Sequence, residues 1–235
     1  DGFCLFDSKL TEYDIIDATP FQRDIIKELA DECQRQGIVF CWYYSVMDWH
    51  HQHYLPRLPA DQRACTGTNY RNYIKYMQGQ LRELMTNYGD VGVAWFDPTT
   101  SGKWEHLWHA VQEHQSAAGD MIDPNPAVVT AILLRNLQPS LIINNRLGAA
   151  ADFSTPERRI PATGLPGQDW ETCMTMNDNW GYKHYDDNWK SKSALLRQYV
   201  DVVSKGGNYL LNIGPTAAGV IPQESVDRLE AIGAW

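Results

Sequence analysis

The chain has 235 residues, 43% of them hydrophobic, which is enough to bury the core of one domain. Its formal net charge of -9, without a cluster of Lys and Arg, argues against nucleic acid or an anionic membrane as a partner. No apolar run reaches the length of a membrane span. Nine Trp and twelve Tyr suit a carbohydrate ligand, whose apolar faces stack on rings, although aromatic residues also fill ordinary cores.

In chain order, the hydrophobic pattern predicts strands that alternate with helices. The order is strand 1–6, helix 24–36, strand 38–44, helix 70–88, strand 91–97, helix 126–137, strand 141–146, strand 170–176, helix 190–205, strand 209–213 and helix 224–232. Two polar stretches interrupt this order. Residues 45–68 form a long aromatic connection, and residues 103–123 are expected to be partly helical.

The six predicted strands are apolar along most of their length, which indicates a parallel sheet covered on both faces. A (β/α)8 TIM-like barrel that lacks its first strands fits the strand count better than an open doubly wound sheet. No Gly-rich fingerprint follows any strand, which argues against a dinucleotide cofactor, and we expect no cofactor at all.

The five cysteines show no Cys-x-x-Cys spacing, and four of them fall in predicted strands or helices. An isolated cysteine in such a position usually behaves as a small buried hydrophobic residue. We therefore expect neither a structural zinc site nor a disulfide framework.

The strand over residues 91–97 ends abruptly on Asp97. Catalytic side chains gather at the C-terminal ends of parallel strands, although an Asp before a Pro–Gly turn can also be a simple cap. Polar groups end two neighbouring strands as well, at Tyr43 and at Arg146, and Glu157 lies in the loop beyond. Two carboxylates on converging loops are the minimum for glycoside hydrolysis.

Six motifs carry a resemblance to a known family. They are Asp1-Gly-Phe-Cys-Leu-Phe6, Trp42-Tyr-Tyr-Ser45, Trp95-Phe-Asp97, Ile142-Ile-Asn-Asn-Arg146, Asp169-Trp-Glu-Thr-Cys-Met174 and the block from Ser204 to Pro215. Together they resemble the α-L-fucosidases of glycoside hydrolase family 29 almost from end to end. The resemblance implies a retaining exoglycosidase on a (β/α)8-like barrel, acting on fucosylated glycans outside the cytoplasm, alone or as a homo-oligomer.

The resemblance also implies roles for single residues. Asp97 resembles the nucleophile and Glu157 the acid/base, with Glu171 as a rival for the second role. The implied substrate-binding residues are Tyr43 and Arg146 at the sugar, Trp95 and Trp180 in an aromatic wall, and His50 and His51 in a loop that lines the site.

The chain departs from the family pattern in three places. Pro98 stands where a Gly is common, residues 103–123 are longer than the usual connection, and the His-His pair expected before Asp1 is not in the sequence. We therefore expect an incomplete catalytic domain, without its N-terminal strands and its C-terminal β-sandwich.

Two alternatives to the enzyme hypothesis remain open. One is an inactive sugar-binding relative or fragment. The other is a metal site at His50, His51 and His53, which is disfavoured because these residues lack the i, i+4 helix spacing and an acidic third ligand.

Overall fold

The structure, a computed structural model, describes residues 2–54, 69–97 and 125–235. The chain divides into two compact units, residues 1–152 and residues 153–235. Pro98, Cys65 and the predicted partial helix over residues 103–123 lie outside the described residues.

The first unit is built from helix–strand repeats around a three-stranded sheet. Its elements are α1 (Ile25–Gln36), β1 (Cys41–Ser45), α2 (Tyr70–Thr86), β2 (Val93–Asp97), α3 (Pro126–Leu137), β3 (Ile142–Ile143) and a 3-10 turn (Asn145–Leu147). The strand order is β1-β2-β3, and both pairings are parallel. The predicted parallel α/β arrangement is therefore confirmed for this unit.

Local sequence signals explain where the helices begin and end. The side chain of Asp24 accepts a hydrogen bond from the backbone N–H of Lys27 at the start of α1, and Gly37 ends that helix with a φ of 69°. Asn69 and Asn125 cap α2 and α3 in the same way as Asp24 caps α1. Helix α2 buries one face, including the fully enclosed Tyr73, against the sheet-side core.

The predicted opening strand over residues 1–6 is wrong. In residues 2–6 the backbone makes a single bridge, in which Cys4 pairs with the segment around Asp14. Its N–H donates to the carbonyl of Tyr13 and its carbonyl accepts from the N–H of Ile15. Because these backbone groups are already paired with the following loop, the segment does not extend the sheet.

The second unit holds β4 (Trp170–Thr175), α4 (Lys192–Ser204), β5 (Gly207–Asn212) and α5 (Gln223–Ala234). The strands β4 and β5 pair in parallel along six residues each. A Cβ at Gly207 would lie 2.4 Å from the ring of Trp170, so this glycine makes room for a buried indole. Trp170 is 3% exposed and thus belongs to the core of this unit.

The described residues thus contain five strands rather than six, and their faces are covered unequally. Every residue of β4 is buried, as predicted, but β1 and β5 alternate between covered and uncovered positions. Strand β3 is shorter than predicted because the chain turns into a 3-10 helix at Asn145. Among the described helices, none combines the length and the apolar character needed to cross a membrane.

Candidate active site

Asp97 is the last residue of β2, and its carboxylate is held at both oxygens. The hydroxyl of Tyr43 donates to Oδ2 over 2.7 Å, and Nη1 of Arg146 donates to Oδ1 over 2.8 Å. Only 8% of Asp97 is exposed. A carboxylate has about four lone-pair positions, so two donors orient the group and leave it able to accept or attack.

The sheet brings these groups together. The parallel register pairs Ser45 with Asp97 and Tyr43 with Trp95, so the ends of β1 and β2 lie side by side. Arg146 arrives from the 3-10 turn directly after β3. Three strand ends that are about fifty residues apart in sequence therefore meet at one carboxylate.

Trp95 lies within the same cluster. Its ring stacks on that of Tyr43, with centroids 5.7 Å apart and an interplanar angle of 21°. The guanidinium of Arg146 lies over the indole, 4.6 Å from its centroid. The sequence-predicted residues Tyr43, Trp95, Asp97 and Arg146 thus form one connected group.

His50 and His51 belong to the same unit and follow β1 in a tight turn. One carboxylate oxygen of Asp48 accepts the backbone N–H groups of both histidines, at 2.9 and 2.7 Å. The ring of His50 stacks on Tyr13 at 3.8 Å, and that of His51 stacks on Tyr76 at 4.4 Å. Burial lowers the pKa of His51 below its ordinary value of 6.5, which favours a neutral imidazole.

Glu157 lies in the second unit, in an extended segment that runs beside β4. Its backbone forms a parallel bridge with Cys173, and the N–H of the next residue, Arg158, donates to the Cys173 carbonyl. The side chain of Glu157 is exposed. The loop that carries this glutamate is therefore fastened to a buried strand.

Glu171, the rival acid/base, is the second residue of β4 and is only 9% exposed. Its Oε2 accepts a hydrogen bond from Nδ2 of Asn208, its partner in the β4–β5 register, over 2.6 Å. Trp180 lies beyond β4 and is partly exposed, and its carbonyl accepts from Nδ2 of Asn212 at 2.7 Å. Asp97 belongs to the first unit, whereas Glu157, Glu171 and Trp180 belong to the second.

Within the described ranges, no group of three or more His, Cys, Asp and Glu side chains could hold a metal ion. Four cysteines are described, and no disulfide joins any two of them. The prediction of buried cysteines is right for Cys4 and Cys173 but wrong for Cys41, which is exposed on β1. It points to the uncovered face of the sheet because strand side chains alternate and Trp42 takes the buried position.

Sequence reasoning missed two supporting residues. Asp48 precedes two histidines at the spacing of an Asx turn, which is a readable local signal. Gly2 packs against Asp48 so closely that a Cβ there would lie 2.2 Å from Oδ1, and no local pattern indicates that contact.

Comparison with known proteins shows which family the chain resembles. A family profile described as Alpha-L-fucosidase matches residues 1–235. The plasma alpha-L-fucosidase of Rattus norvegicus is 28% identical over 246 aligned residues, which cover 100% of this chain and 49% of the relative. The chain thus spans about half the length of that relative. The alpha-L-fucosidase of Dictyostelium discoideum is 27% identical, and the alignment covers 90% of this chain and 43% of the relative.

Two solved structures are similar over the whole chain. Alpha-L-fucosidase isoenzyme 1 from Paenibacillus thiaminolyticus has a TM-score of 0.85 at 36% identity, with 57% of that chain covered. An alpha-L-fucosidase from Lactobacillus casei in complex with alpha-L-fucose product has a TM-score of 0.79 at 32% identity, with 71% covered.

Proposed function

Because the chain belongs to the α-L-fucosidase family, we propose that it carries the catalytic residues of a retaining exo-α-L-fucosidase. The observation that carries the proposal is the carboxylate of Asp97, buried at a strand tip between the donors Tyr43 and Arg146. The substrate class is a terminal α-L-fucoside on a glycan or glycoconjugate. Two further solved structures, both of the similar alpha-L-fucosidase AlfC, contain α-L-fucosides, one with Fuca(1,6)GlcNAc and one with 4-nitrophenyl-α-L-fucopyranoside.

In the proposed reaction, an oxygen of Asp97 attacks the anomeric carbon of fucose and the bond to the aglycone oxygen breaks. The acid/base, assigned to Glu157, gives its proton to the departing oxygen. Glu157 then takes a proton from water, whose oxygen displaces Asp97 and releases fucose with its original configuration. The hydrogen bonds from Tyr43 and Arg146 hold the carboxylate in one orientation before it attacks.

The nucleophile assignment is tested with Asp97→Ala in the full-length protein and an aryl α-L-fucoside. Loss of the covalent step should lower turnover by several orders of magnitude. Added azide should restore part of it and give β-L-fucosyl azide, because azide attacks the substrate directly and inverts it. Turnover within tenfold of the parent enzyme would reject Asp97 as the nucleophile.

The acid/base assignment is tested by comparing Glu157→Ala with Glu171→Ala. In the variant that lacks the acid/base, azide should attack the fucosyl-enzyme and give the α-azide, the anomer opposite to that from Asp97→Ala. Loss of activity should also be greater for poor leaving groups than for nitrophenol, because a poor leaving group needs the proton. If Glu171→Ala shows this behaviour and Glu157→Ala does not, the role belongs to Glu171.

The alternative is a sugar-binding relative without turnover. It predicts that L-fucose binds, as measured by calorimetry, while no aglycone is released from an aryl fucoside at high enzyme concentration. The pairing of Asp97 with two donors supports the enzyme, because attack on an anomeric carbon requires a carboxylate oxygen held in a fixed position.

We also propose that the five described strands belong to a (β/α)8-like barrel whose remaining strands come from a longer protein, as the resemblance implies. The parallel pairing of β1 with β2 and of β4 with β5 supports it. A location outside the cytoplasm is also proposed, and it rests on the family resemblance. Expression of residues 1–235 beside the full-length protein tests the barrel, since equal activity and an equally cooperative melt would mean that the short chain is complete.

A further inference from the structure

The side chain of Asn144 makes an unusual pair of hydrogen bonds with the backbone of β2. Its Oδ1 accepts the N–H of Phe96 over 3.0 Å, and its Nδ2 donates to the carbonyl of Phe96 over 2.9 Å. Asn144 is completely buried, and so is Phe96. One carboxamide therefore satisfies both polar groups of a single buried peptide residue.

This contact begins where the sheet ladder stops. Strand β3 has only two residues, which pair with Val93 and Ala94, while β2 continues to Asp97. Beyond Ala94 the chain after β3 enters the 3-10 turn, so the pairing between β2 and β3 ends there in the part of the chain that the structure describes. The amide of Asn144 takes the place of the missing peptide unit and continues the ladder by one step.

The position of Asn144 links the two halves of the Asp97–Arg146 pair. Asp97 follows Phe96 directly, and Arg146 lies two residues after Asn144 in the turn. An Asn just before a helical turn is ordinarily a cap, yet Asn144 makes no side-chain cap hydrogen bond to this turn. Its amide is used across the strands instead.

We propose that Asn144 is a positioning residue for the reaction, holding the backbone of Phe96 so that the Asp97 carboxylate meets Arg146 and the substrate in one geometry. The proposal rests on the proposed function of Asp97 as nucleophile. Asn144 acts through the backbone and has no contact with substrate in this role. Displacement of a reacting group by about 1 Å can cost on the order of a hundredfold in rate.

The test uses Asn144→Leu and Asn144→Asp in the full-length protein, assayed with an aryl α-L-fucoside. Asn144→Leu replaces the amide with an apolar group of similar branched shape and so removes both hydrogen bonds. The kcat should fall about 10- to 100-fold with a much smaller change in KM. An ionised Asp can accept from Phe96 but cannot donate, so this variant should be equally impaired near neutral pH. A protonated Asp carboxyl donates once and accepts once, as the amide does.

Acidification should therefore rescue Asn144→Asp but not Asn144→Leu. The activity of each variant is divided by that of the parent enzyme at every pH from 4.5 to 8, which cancels the titration of the catalytic groups. The ratio should rise towards low pH for Asn144→Asp and stay flat for Asn144→Leu. A residue that merely fills space would give two flat ratios, and that result would overturn the proposal.

Gln138 provides a control that contacts the segment just before the start of the same strand, β2. Its Oε1 accepts the N–H of Val91 over 2.8 Å, and its Nε2 donates to the carbonyls of Met85 and Gly89. Gln138→Leu and Gln138→Glu should lower the melting temperature but leave kcat within about threefold of the parent. If they reduce kcat as much as the Asn144 variants, general loss of stability explains the effect and the proposal fails.

Failure of the proposed function is recognised separately. Treatment with a 2-deoxy-2-fluoro-fucosyl fluoride should leave a covalent 2-deoxy-2-fluoro-fucosyl-enzyme, and peptide mapping then identifies the nucleophile independently of the role of Asn144. An adduct on a residue other than Asp97 removes the premise. An adduct on Asp97, formed at the same rate in Asn144→Leu as in the parent, refutes the positioning role alone.

Discussion

Replacing Arg146 by Met should destabilise the fold through the charge that it leaves behind. Arg146 and Asp97 form an ion pair of 2.8 Å in which each side chain is only 12% exposed. Methionine keeps an apolar contact for Trp95 but removes the guanidinium. Within the described residues, Asp97 would then be a largely buried carboxylate with the Tyr43 hydroxyl as its remaining hydrogen-bond donor.

The magnitude follows from the geometry. Two unit charges about 4 Å apart attract by about 4 kcal/mol at the effective dielectric constant of about 20 that suits such sites. Removal of one partner of a buried pair typically costs about 3 to 5 kcal/mol, because the other charge stays desolvated. We expect Arg146→Met to lose about 3 kcal/mol of unfolding free energy, and a cycle with Asp97→Asn to give a coupling of about 2 to 4 kcal/mol.

The assay is urea unfolding of the parent, the two single variants and the double variant. The four proteins must have equal m-values, so that the difference reports stability alone. The pair Arg135–Asp152 is the control, since its distance is 2.9 Å but its side chains are 37% and 32% exposed. Solvent screening should hold its coupling below about 1 kcal/mol. A coupling for Arg146–Asp97 that does not exceed the control value would refute the argument that burial makes this pair strong.

Three further predictions concern the first unit. Gly2→Ala should lower the melting temperature by several degrees in differential scanning calorimetry, because the new Cβ would lie 2.2 Å from Oδ1 of Asp48 and the residue has a backbone φ of 92°. An unchanged melting temperature would show that the contact between residue 2 and Asp48 is loose. Burial lowers the pKa of His51, so on acidification the imidazole of the unfolded chain is protonated first, and the free energy of unfolding should fall as the pH drops below about 6.5. His51→Gln should flatten that decline in a plot of unfolding free energy against pH, and parallel curves for the variant and the parent would contradict the prediction. Burial raises the pKa of the Cys4 thiol to about 11, so iodoacetamide at neutral pH should modify the exposed Cys41 before Cys4. Peptide mass spectrometry measures the order of labelling, and faster labelling of Cys4 would mean that the opening segment unfolds readily.

Local patterns in the sequence were sufficient for the helices and for most strands. The period of the apolar residues and the caps at Asp24 and Gly37 placed α1 to within one residue. The tip of β2 at Asp97 was equally readable, because an apolar run that ends on a carboxylate depends only on neighbouring residues. The candidate residues Tyr43 and Arg146 could also be named, since each lies at the end of a predicted strand.

The partners of those residues could not be read in the same way. That the Tyr43 hydroxyl binds Asp97, rather than only a sugar, depends on the parallel register of β1 and β2. The place of Asn144 opposite Phe96 depends on β3 ending at Ile143, three residues earlier than the sequence predicts. The opening segment looked like a strand because its apolar residues are a local signal, but the backbone groups of Cys4 bond to Tyr13 and Ile15 instead. The period of the apolar residues shows which face of a helix or strand is buried. Packing between elements distant in sequence fixes the strand register, the end of each ladder and the partner of each polar group, because every buried donor and acceptor must then be satisfied.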